Sequence, residues 1–411
     1  MTMPENAATP DGAPSTYAAA GVDEEREQNA FARVMRPWLA RTTVRSPLVT
    51  KISGLSSGYF ATLMHVPPGP PLALTTDGVG TKILLAREAN RWEPIGVDCV
   101  ANNVNDLVCV GAVPLALLDY VAIDRIDEGV LDEIARGLFL GAELAGIAIP
   151  GGEIAQIGAM LASSEGGGPM LDLVGTAIGA LPNAAQPGQA TREPVDGSAV
   201  RPGDVVIGLP SSGLHSNGYS LARHALFGKG GGGKDGTGEG GTGKDGTGGE
   251  AGKDGTGGMS LQDQVPGTGR RLADALLQPT RVYVKAAESL WAAGITPRGL
   301  AHISGGGLLN LARLAADVSY ELDAMPAPSE LFTLIAERGQ ITPATMYATF
   351  NMGLGFCVVV AKTEQQAAMT ALKEAGEDPI RVGWVTSRPG RTVSIPSAGL
   401  LGRGDAFEPV R

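Results

Sequence analysis

The stretch from Leu72 to Ala86, LALTTDGVGTKILLA, combines the residue types of an anion- and metal-binding turn. An apolar run fits a buried strand, and Gly78 and Gly80 allow a tight turn into a helix-like run that begins near Lys82. The unpaired N–H groups of a helix start attract anions. Asp77 adds a carboxylate suited to Mg²⁺, and Lys82 adds a charge suited to phosphate. The alternative is a plain Asp-Gly turn that ends a strand.

A second polar pattern lies between Ile95 and Pro114, a segment that predicts a helix. At 100° per residue, two carboxylates and two amides share one arc, opposite a row of valines and an alanine. No Lys or Arg lies among them, so they repel one another unless a cation is bound, and oxygen-only ligands suit Mg²⁺. The alternative is a solvated polar helix face. The polar arc comprises Asp98, Asn102, Asn105 and Asp106. Because either change removes a ligand carboxylate and relieves repulsion, we predict that Asp98→Asn or Asp106→Asn abolishes Mg²⁺-dependent turnover and leaves stability equal or higher.

Three further stretches carry candidate site residues. Glu153 follows two glycines at the end of a predicted strand, where it can complete the metal site. The loop 210–218 places His215 before a helix that starts near Tyr219, a setting that raises the case for anion binding against a plain polar residue. In the stretch 304–307, three glycines precede another predicted helix, whose first N–H groups likewise favour anion binding.

Length and composition bound the classes of protein to which this chain can belong. A chain of 411 residues with 43% hydrophobic residues predicts two soluble domains or one large one. A net charge of −11 argues against nucleic acid as the main partner. The N-terminus lacks the pattern of a signal peptide, and no apolar run reaches transmembrane length, so we expect a cytoplasmic protein. The cysteines lack C-x-x-C spacing, which favours free buried thiols in a reducing compartment. They are Cys99, Cys109 and Cys357.

Alternating strand and helix patterns predict an α/β or α+β fold. The predicted domain organisation has a loose tail over 1–16, a first domain over 17–182, a linker over 183–202, a second domain over 203–398 and a tail over 399–411. A glycine-rich segment over 228–258 interrupts the second domain.

Several of these motifs together resemble the phosphoribosylformylglycinamidine cyclo-ligase (AIR synthetase) family. They are TTDGVGTK, GVDCVANNVNDLVCVGAVPLALLDYVA, GGE, SSGLHSNGYSLAR, QPTRVYVK, AHISGGGL and MYATFNMGLGF, in the family's order. The resemblance runs from about Tyr17 to Val385 outside the glycine-rich segment. It implies a two-domain α/β fold and a homodimer in which N-terminal-domain strands of both subunits form a barrel across the interface. It also implies ATP-dependent ring closure of formylglycinamidine ribonucleotide, through a phosphorylated amide oxygen.

The resemblance also assigns roles to residues. It implies that Asp77, Asp98, Asp106 and Glu153 hold Mg²⁺ with ATP. Nucleotide or substrate phosphates are implied to contact Gly78, Gly80, Thr81, Asn102, Asn217, Ser304, Gly305, Gly306 and Gly307. Catalytic roles fall to Lys82, which steadies the transferred phosphoryl group, and to His215 and Asp77. The implied partners are a small ribonucleotide and a second copy of the chain, without nucleic acid or membrane.

Two alternatives remain open at this stage. The first is another ATP-dependent enzyme of the superfamily, such as thiamine-monophosphate kinase, selenophosphate synthetase or the hydrogenase-maturation dehydratase. No cysteine precedes Cys99, although selenophosphate synthetases commonly use a reactive residue near the N-terminus. The second is a nucleotide-binding homologue with impaired catalysis. It is motivated by the loop SGLSSGYF, by Gln156 and by Ala348, where the family pattern has a more glycine-rich loop, an acidic group and an arginine.

The glycine-rich segment leads to a first prediction. Its sequence has no apolar residue except Ala251, so it cannot bury enough surface to offset its chain entropy. We expect that replacing residues 229–257 by a short Gly-Ser link leaves dimerisation and activity close to wild type, because closure entropy changes slowly with loop length. Size-exclusion chromatography and a turnover assay check this. Lost activity in a folded deletion variant would show that the segment does more than connect.

Overall fold

The computed structural model describes residues 59–65, 67–161, 168–182, 191–228 and 258–410, together with the short strand 50–51 and two isolated positions before it. The predicted N-terminal tail, most of the 53–60 loop, residues 183–190 of the linker and residues 229–257 of the glycine-rich segment lie outside these ranges. Every helix in the described ranges is too short or too polar to cross a membrane.

The first half of the chain builds a six-stranded sheet. The order is β1-β2-β3-β6-β4-β5, in which β4 and β5 pair in parallel and the other described ladders are antiparallel. The strands are β1 Thr50–Lys51, β2 Thr62–His65, β3 Pro71–Gly78, β4 Val113–Ile123, β5 Ala148–Gln156 and β6 Leu171–Ala180. In β6 every second side chain is buried against the helices, which is the period-2 pattern of a sheet with one covered face.

The first half has three described helices: α1 Lys82–Ala89, α2 Glu93–Cys109 and α3 Glu128–Ala145. Helix α2 packs on the sheet, and α1 and α3 pack on α2. Asp127 caps α3, because its carboxylate accepts hydrogen bonds from the backbone N–H groups of Gly129 and Val130. Helix α2 is buried almost from end to end, between the sheet, α3 and the second half of the chain. It crosses α3 where Gly96 faces Gly137. A methyl group on either glycine would collide with the backbone of the other helix.

The second half forms an eight-stranded sheet with the order β14-β13-β12-β9-β11-β7-β10-β8. Its strands are β7 Val205–Pro210, β8 Gly299–His302, β9 Ser319–Glu321, β10 Leu354–Val360, β11 Ile380–Thr386, β12 Val393–Ile395, β13 Leu400–Arg403 and β14 Ala406–Pro409. The α-helices are α4 Tyr219–Phe227, α5 Leu272–Leu276, α6 Val284–Ala292, α7 Glu330–Gly339, α8 Pro343–Thr349 and α9 Gln365–Glu374. Short 3₁₀ helices cover Gly307–Arg313, Lys362–Glu364 and Pro396–Ala398. Strand β10 is wholly buried and forms the centre of the core.

The predicted α/β class with two sheet-containing halves is confirmed, and most of the described strand pairs are antiparallel. The predicted start of α4 near Tyr219 agrees with the structure. Two predictions are wrong. Strand β5 continues through its glycines, so Glu153 lies in the middle of an edge strand and not at a strand end. The predicted tail after residue 399 instead forms β13 and β14, which extend the second sheet.

Candidate active site

The polar arc of α2 packs against the second half of the chain and does not face an open cleft. Asp98 and Asn105 are fully buried there. The predicted repulsion, which a bound metal cation would relieve, does not apply to Asp98, because the Lys82 ammonium lies 2.7 Å from Asp98 Oδ2 and both side chains are fully buried. The arc is therefore an interface between the two halves, across which Asp98 and Asn105 satisfy their polar groups.

Both carboxylate oxygens of Asp98 contact protein groups. Its Oδ1 accepts hydrogen bonds from the backbone N–H and the hydroxyl of Thr280, both at 2.7 Å, while Oδ2 takes the ion pair. Lys82 Nζ also donates to the carbonyl oxygens of His215 at 3.0 Å and Gln278 at 2.8 Å. Burial lowers the pKa of Lys82, and the charge of Asp98 opposes that shift. In this ligand-free chain Asp98 contacts Lys82 and Thr280, and Lys82 contacts Asp98 and two backbone carbonyls, so both side chains link protein groups at the positions where a role toward Mg²⁺ or phosphate is predicted.

Asn105 joins the same interface. Its amide donates to the carbonyl of Arg281 at 2.8 Å, and its oxygen accepts the N–H of Tyr283 at 2.8 Å. An amide suits this position because the peptide chain opposite offers one acceptor and one donor. The segment 278–283 is thus fixed by α2, and the sequence singles it out only as part of the motif QPTRVYVK.

A cluster of acid and imidazole groups forms next to this interface. His302 Nδ1 lies 2.9 Å from Asp106 Oδ1, and His302 Nε2 is buried without a hydrogen-bond partner among the described residues. Asp77 is exposed in this chain, and partial desolvation by the surrounding protein raises the pKa of its carboxyl from 3.8 to about 6. The charge of Asp106 raises that pKa further, while the Gly78 N–H and His302 lower it. His302 was not predicted as a site residue, because its only signal in the sequence is its place in AHISGGGL.

Asn102 lies beside this cluster. Its amide donates to the carbonyl of Gly78 at 3.3 Å, and its Oδ1 is buried without a hydrogen-bond partner in the described part of the chain. Glu153, by contrast, pairs with Tyr120 in the β4–β5 ladder and is exposed. Among the described residues, no three His, Cys, Asp or Glu side chains come together as a metal site. The predicted set of four carboxylates is therefore not assembled in this chain.

The loops predicted to bind anions do come together. A methyl group on Gly305 would lie 3.3 Å from Asn217 Oδ1, which places the loop 211–218 beside the glycine loop 304–307. Gly306 and Gly307 have φ values of 89° and 54°, so a residue with a side chain would be strained there. Gly80 turns with φ 72°, and the Thr81 hydroxyl lies 3.1 Å from that of Ser220 at the start of α4. Turns from both halves therefore adjoin along one seam.

His215 adopts an unusual conformation in its loop. Its φ is 62°, in the left-handed region, and its side chain is buried. Burial lowers the pKa of the imidazole, and the charges of His302, Lys82 and Arg281 lower it further. Its Nε2 accepts the backbone N–H of Ser212 at 3.2 Å. His215 is therefore neutral near pH 7 and does not act as a cationic anchor.

Known proteins share both halves of this architecture. Residues 59–181 match the model of the AIR synthase related protein N-terminal domain, and residues 201–395 match that of the C-terminal domain. The phosphoribosylformylglycinamidine cyclo-ligase of Methanothermobacter thermautotrophicus is 38% identical over 373 residues, which cover 91% of this chain and 95% of that relative. The chain belongs to the phosphoribosylformylglycinamidine cyclo-ligase family. Its counterpart in Myxococcus xanthus is 38% identical over 389 residues, covering 93% of this chain and 99% of the relative.

A more distant solved structure shows how widely this fold is used. Hydrogenase maturation protein HypE in complex with ATP is 16% identical, with a TM-score of 0.52 over 94% of this chain and 95% of that chain. At this identity the match concerns the fold alone. Membership of the cyclo-ligase family confirms the resemblance carried by the seven motifs and favours it over the other enzymes of the superfamily.

Proposed function

We propose that this chain closes the imidazole ring of aminoimidazole ribonucleotide from formylglycinamidine ribonucleotide, with ATP converted to ADP and phosphate. The observation that carries the proposal is similarity over nearly the whole length of relatives named for this reaction. The site supports it, because carboxylates at the end of β3 and on α2 adjoin the glycine loop of the second half. In the overall reaction, the amide oxygen leaves with the phosphoryl group as the amidine nitrogen bonds to the former amide carbon.

The residues of the site fit a magnesium ion that arrives with the nucleotide. Asp77 and Asp106 raise the energy of each other's charge, and no lysine or arginine is paired with either among the described residues. Asn102 Oδ1 adds a buried oxygen without a partner. Mg²⁺ is usually bound by one or two carboxylates, with phosphates and water completing its shell. These three residues would hold it, and bound Mg²⁺ would neutralise charge on the transferred phosphoryl group.

We assign proton transfer to His302. Its Nδ1 faces Asp106, so the carboxylate can hold the ring with the proton on Nδ1 and leave Nε2 as an acceptor. Nε2 is buried and has no other partner in the described ranges. Ring closure releases a proton from the attacking amidine nitrogen, and a basic imidazole nitrogen at the site can accept it.

The proposed partner is a second copy of the chain. On the face of the first sheet opposite α2, large apolar side chains remain exposed, among them Leu118 at 51% and Tyr120 at 42%. Contiguous exposed apolar surface on a sheet marks an interaction site. It supports a homodimer through this face.

We also propose that the reaction takes place in the cytoplasm. The three cysteines among the described residues are free and buried, as is usual in a reducing compartment.

The test is direct product formation. Purified protein is incubated with formylglycinamidine ribonucleotide, ATP and Mg²⁺, and aminoimidazole ribonucleotide is measured as a diazotisable amine. We expect equal amounts of the amine and ADP, and neither without Mg²⁺. A matched control carries Asp132→Asn on the exposed face of α3, and it should behave as wild type. Phosphorylation of thiamine monophosphate, or nucleotide binding without turnover, would replace the proposal by one of the two alternatives.

A further inference from the structure

We propose that Lys82 is a positioning residue, which holds the loop Ser212–Asn217 of the second half against the first half and thereby sets Asn217 beside Gly305. That phosphate binds between Asn217 and the glycine loop 304–307 rests on the proposed function. That Lys82 fixes the loop Ser212–Asn217 does not.

The first observation is that the Lys82 ammonium is saturated. Its three acceptors are Asp98 Oδ2, the His215 carbonyl and the Gln278 carbonyl, at 2.7, 3.0 and 2.8 Å. An ammonium has three N–H donors, and all of them are used within the protein. A buried ammonium with complete coordination cannot also move to a ligand without leaving Asp98 unpaired. Lys82 therefore acts through the groups that it holds.

The second observation is the conformation of the loop that Lys82 holds. His215 has φ 62°, and a non-glycine residue in the left-handed region is strained and persists only where its surroundings fix it. The carbonyl of this same residue accepts the charge-assisted hydrogen bond from Lys82. Such bonds are roughly twice as strong as neutral ones. The lysine thus supports the loop at its strained residue.

The third observation is that the remaining links converge on the same ion pair. The Ser212 hydroxyl donates to the Pro279 carbonyl at 2.5 Å, and the Ser216 hydroxyl lies 3.1 Å from that of Thr280. Thr280 in turn donates twice to Asp98. Loop, segment 278–280 and the ion pair form one closed network. Removing the charges should release the loop while the helices that carry Lys82 and Asp98 keep their apolar packing.

His215 also supplies a spectroscopic signal for the state of the loop. Because Nε2 accepts the Ser212 N–H, the proton of the neutral ring lies on Nδ1. The chain has four histidines, so a long-range ¹H–¹⁵N spectrum of histidine-labelled protein contains few ring signals to assign. The tautomer of His215 reports whether Ser212 and His215 keep their native positions, without reference to activity.

The experiment compares wild type with Lys82→Met and with Lys82→Met combined with Asp98→Asn, which removes both buried charges and should fold where the single variant does not. We expect the His215 ring to lose its fixed Nδ1–H signal while the other histidines keep theirs. We also expect kcat/KM for the ribonucleotide to fall about 10²-fold, the usual effect of a misplacement near 1 Å. The KM for ATP should stay close to wild type.

Two further variants sharpen the result. Thr280→Val keeps both charges but removes a hydroxyl link, and it should shift the same signals by less, whereas Thr280→Ser should restore them. Arg91→Ala breaks the exposed ion pair between Arg91 and Asp274, which also joins the two halves, and should change neither readout. An unchanged His215 spectrum with a raised KM for ATP would overturn the proposal and make Lys82 a phosphate ligand. If wild type shows the Nδ1–H signal but forms no product, the proposed function is rejected and the positioning role of Lys82 is not.

Discussion

Asp98→Asn is expected to lower the free energy of unfolding by about 3–5 kcal/mol, the usual cost of leaving one partner of a buried ion pair without the other. Lys82 is fully buried and keeps only two carbonyl acceptors after the change. Denaturant unfolding at pH 7.5, analysed at constant m-value, measures the loss.

The matched double variant decides the cause. Lys82→Met combined with Asp98→Asn should recover much of the stability that Asp98→Asn loses, because no unpaired charge remains in the interior. Equal losses in the single and double variants would show that the Thr280 hydrogen bonds matter and the ion pair does not. The expected sign is the reverse of the one that like-charge repulsion on the polar arc predicts, because the arc meets a lysine.

Asp77→Asn should reduce turnover by about 10²-fold or more, which is the usual effect of losing one preorganised electrostatic contact in an active site. The same change should make the ligand-free protein more stable. The gain arises because burial and Asp106 already disfavour the charge of Asp77. Thermal unfolding should show Mg²⁺ with ATP raising the Tm of wild type more than that of the variant.

The pH dependence of that gain follows from the raised pKa. Folding favours the neutral acid, so wild type loses stability as pH rises from 3.8 to about 6. The Tm advantage of Asp77→Asn should therefore be absent below pH 3.8, grow through this window and stay constant above it. A variant that is less stable than wild type at pH 7 without ligand would contradict this account of Asp77.

Local patterns predicted the elements well, and long-range pairing explains what they missed. Helix α3 has an apolar periodicity and the Asp127 cap, and α4 begins directly after Gly218, so neighbouring residues determine both helix starts. The arc on α2 was placed on the correct helix, yet its partner Thr280 is 182 residues away, and no periodicity reveals such a pairing. The hairpin β13–β14 did carry a signal: Gly404 and Asp405 are a two-residue turn between short apolar runs, and Gly404 has φ 60°.

The glycine crossing of α2 and α3 bears on how this enzyme tolerates change. Gly96 and Gly137 have no side chain that could contact a ligand, but a side chain at either one must push the two helices apart. Because α2 carries Asp98, Asn102 and Asp106 on its other side, that displacement reaches the seam between the halves. In a saturation library screened for turnover, both positions should accept glycine alone, while exposed neighbours on α3 such as Asp132 accept many residues. At these two positions the loss of turnover would therefore result from a changed distance between the helices, and not from the loss of a group that takes part in the reaction.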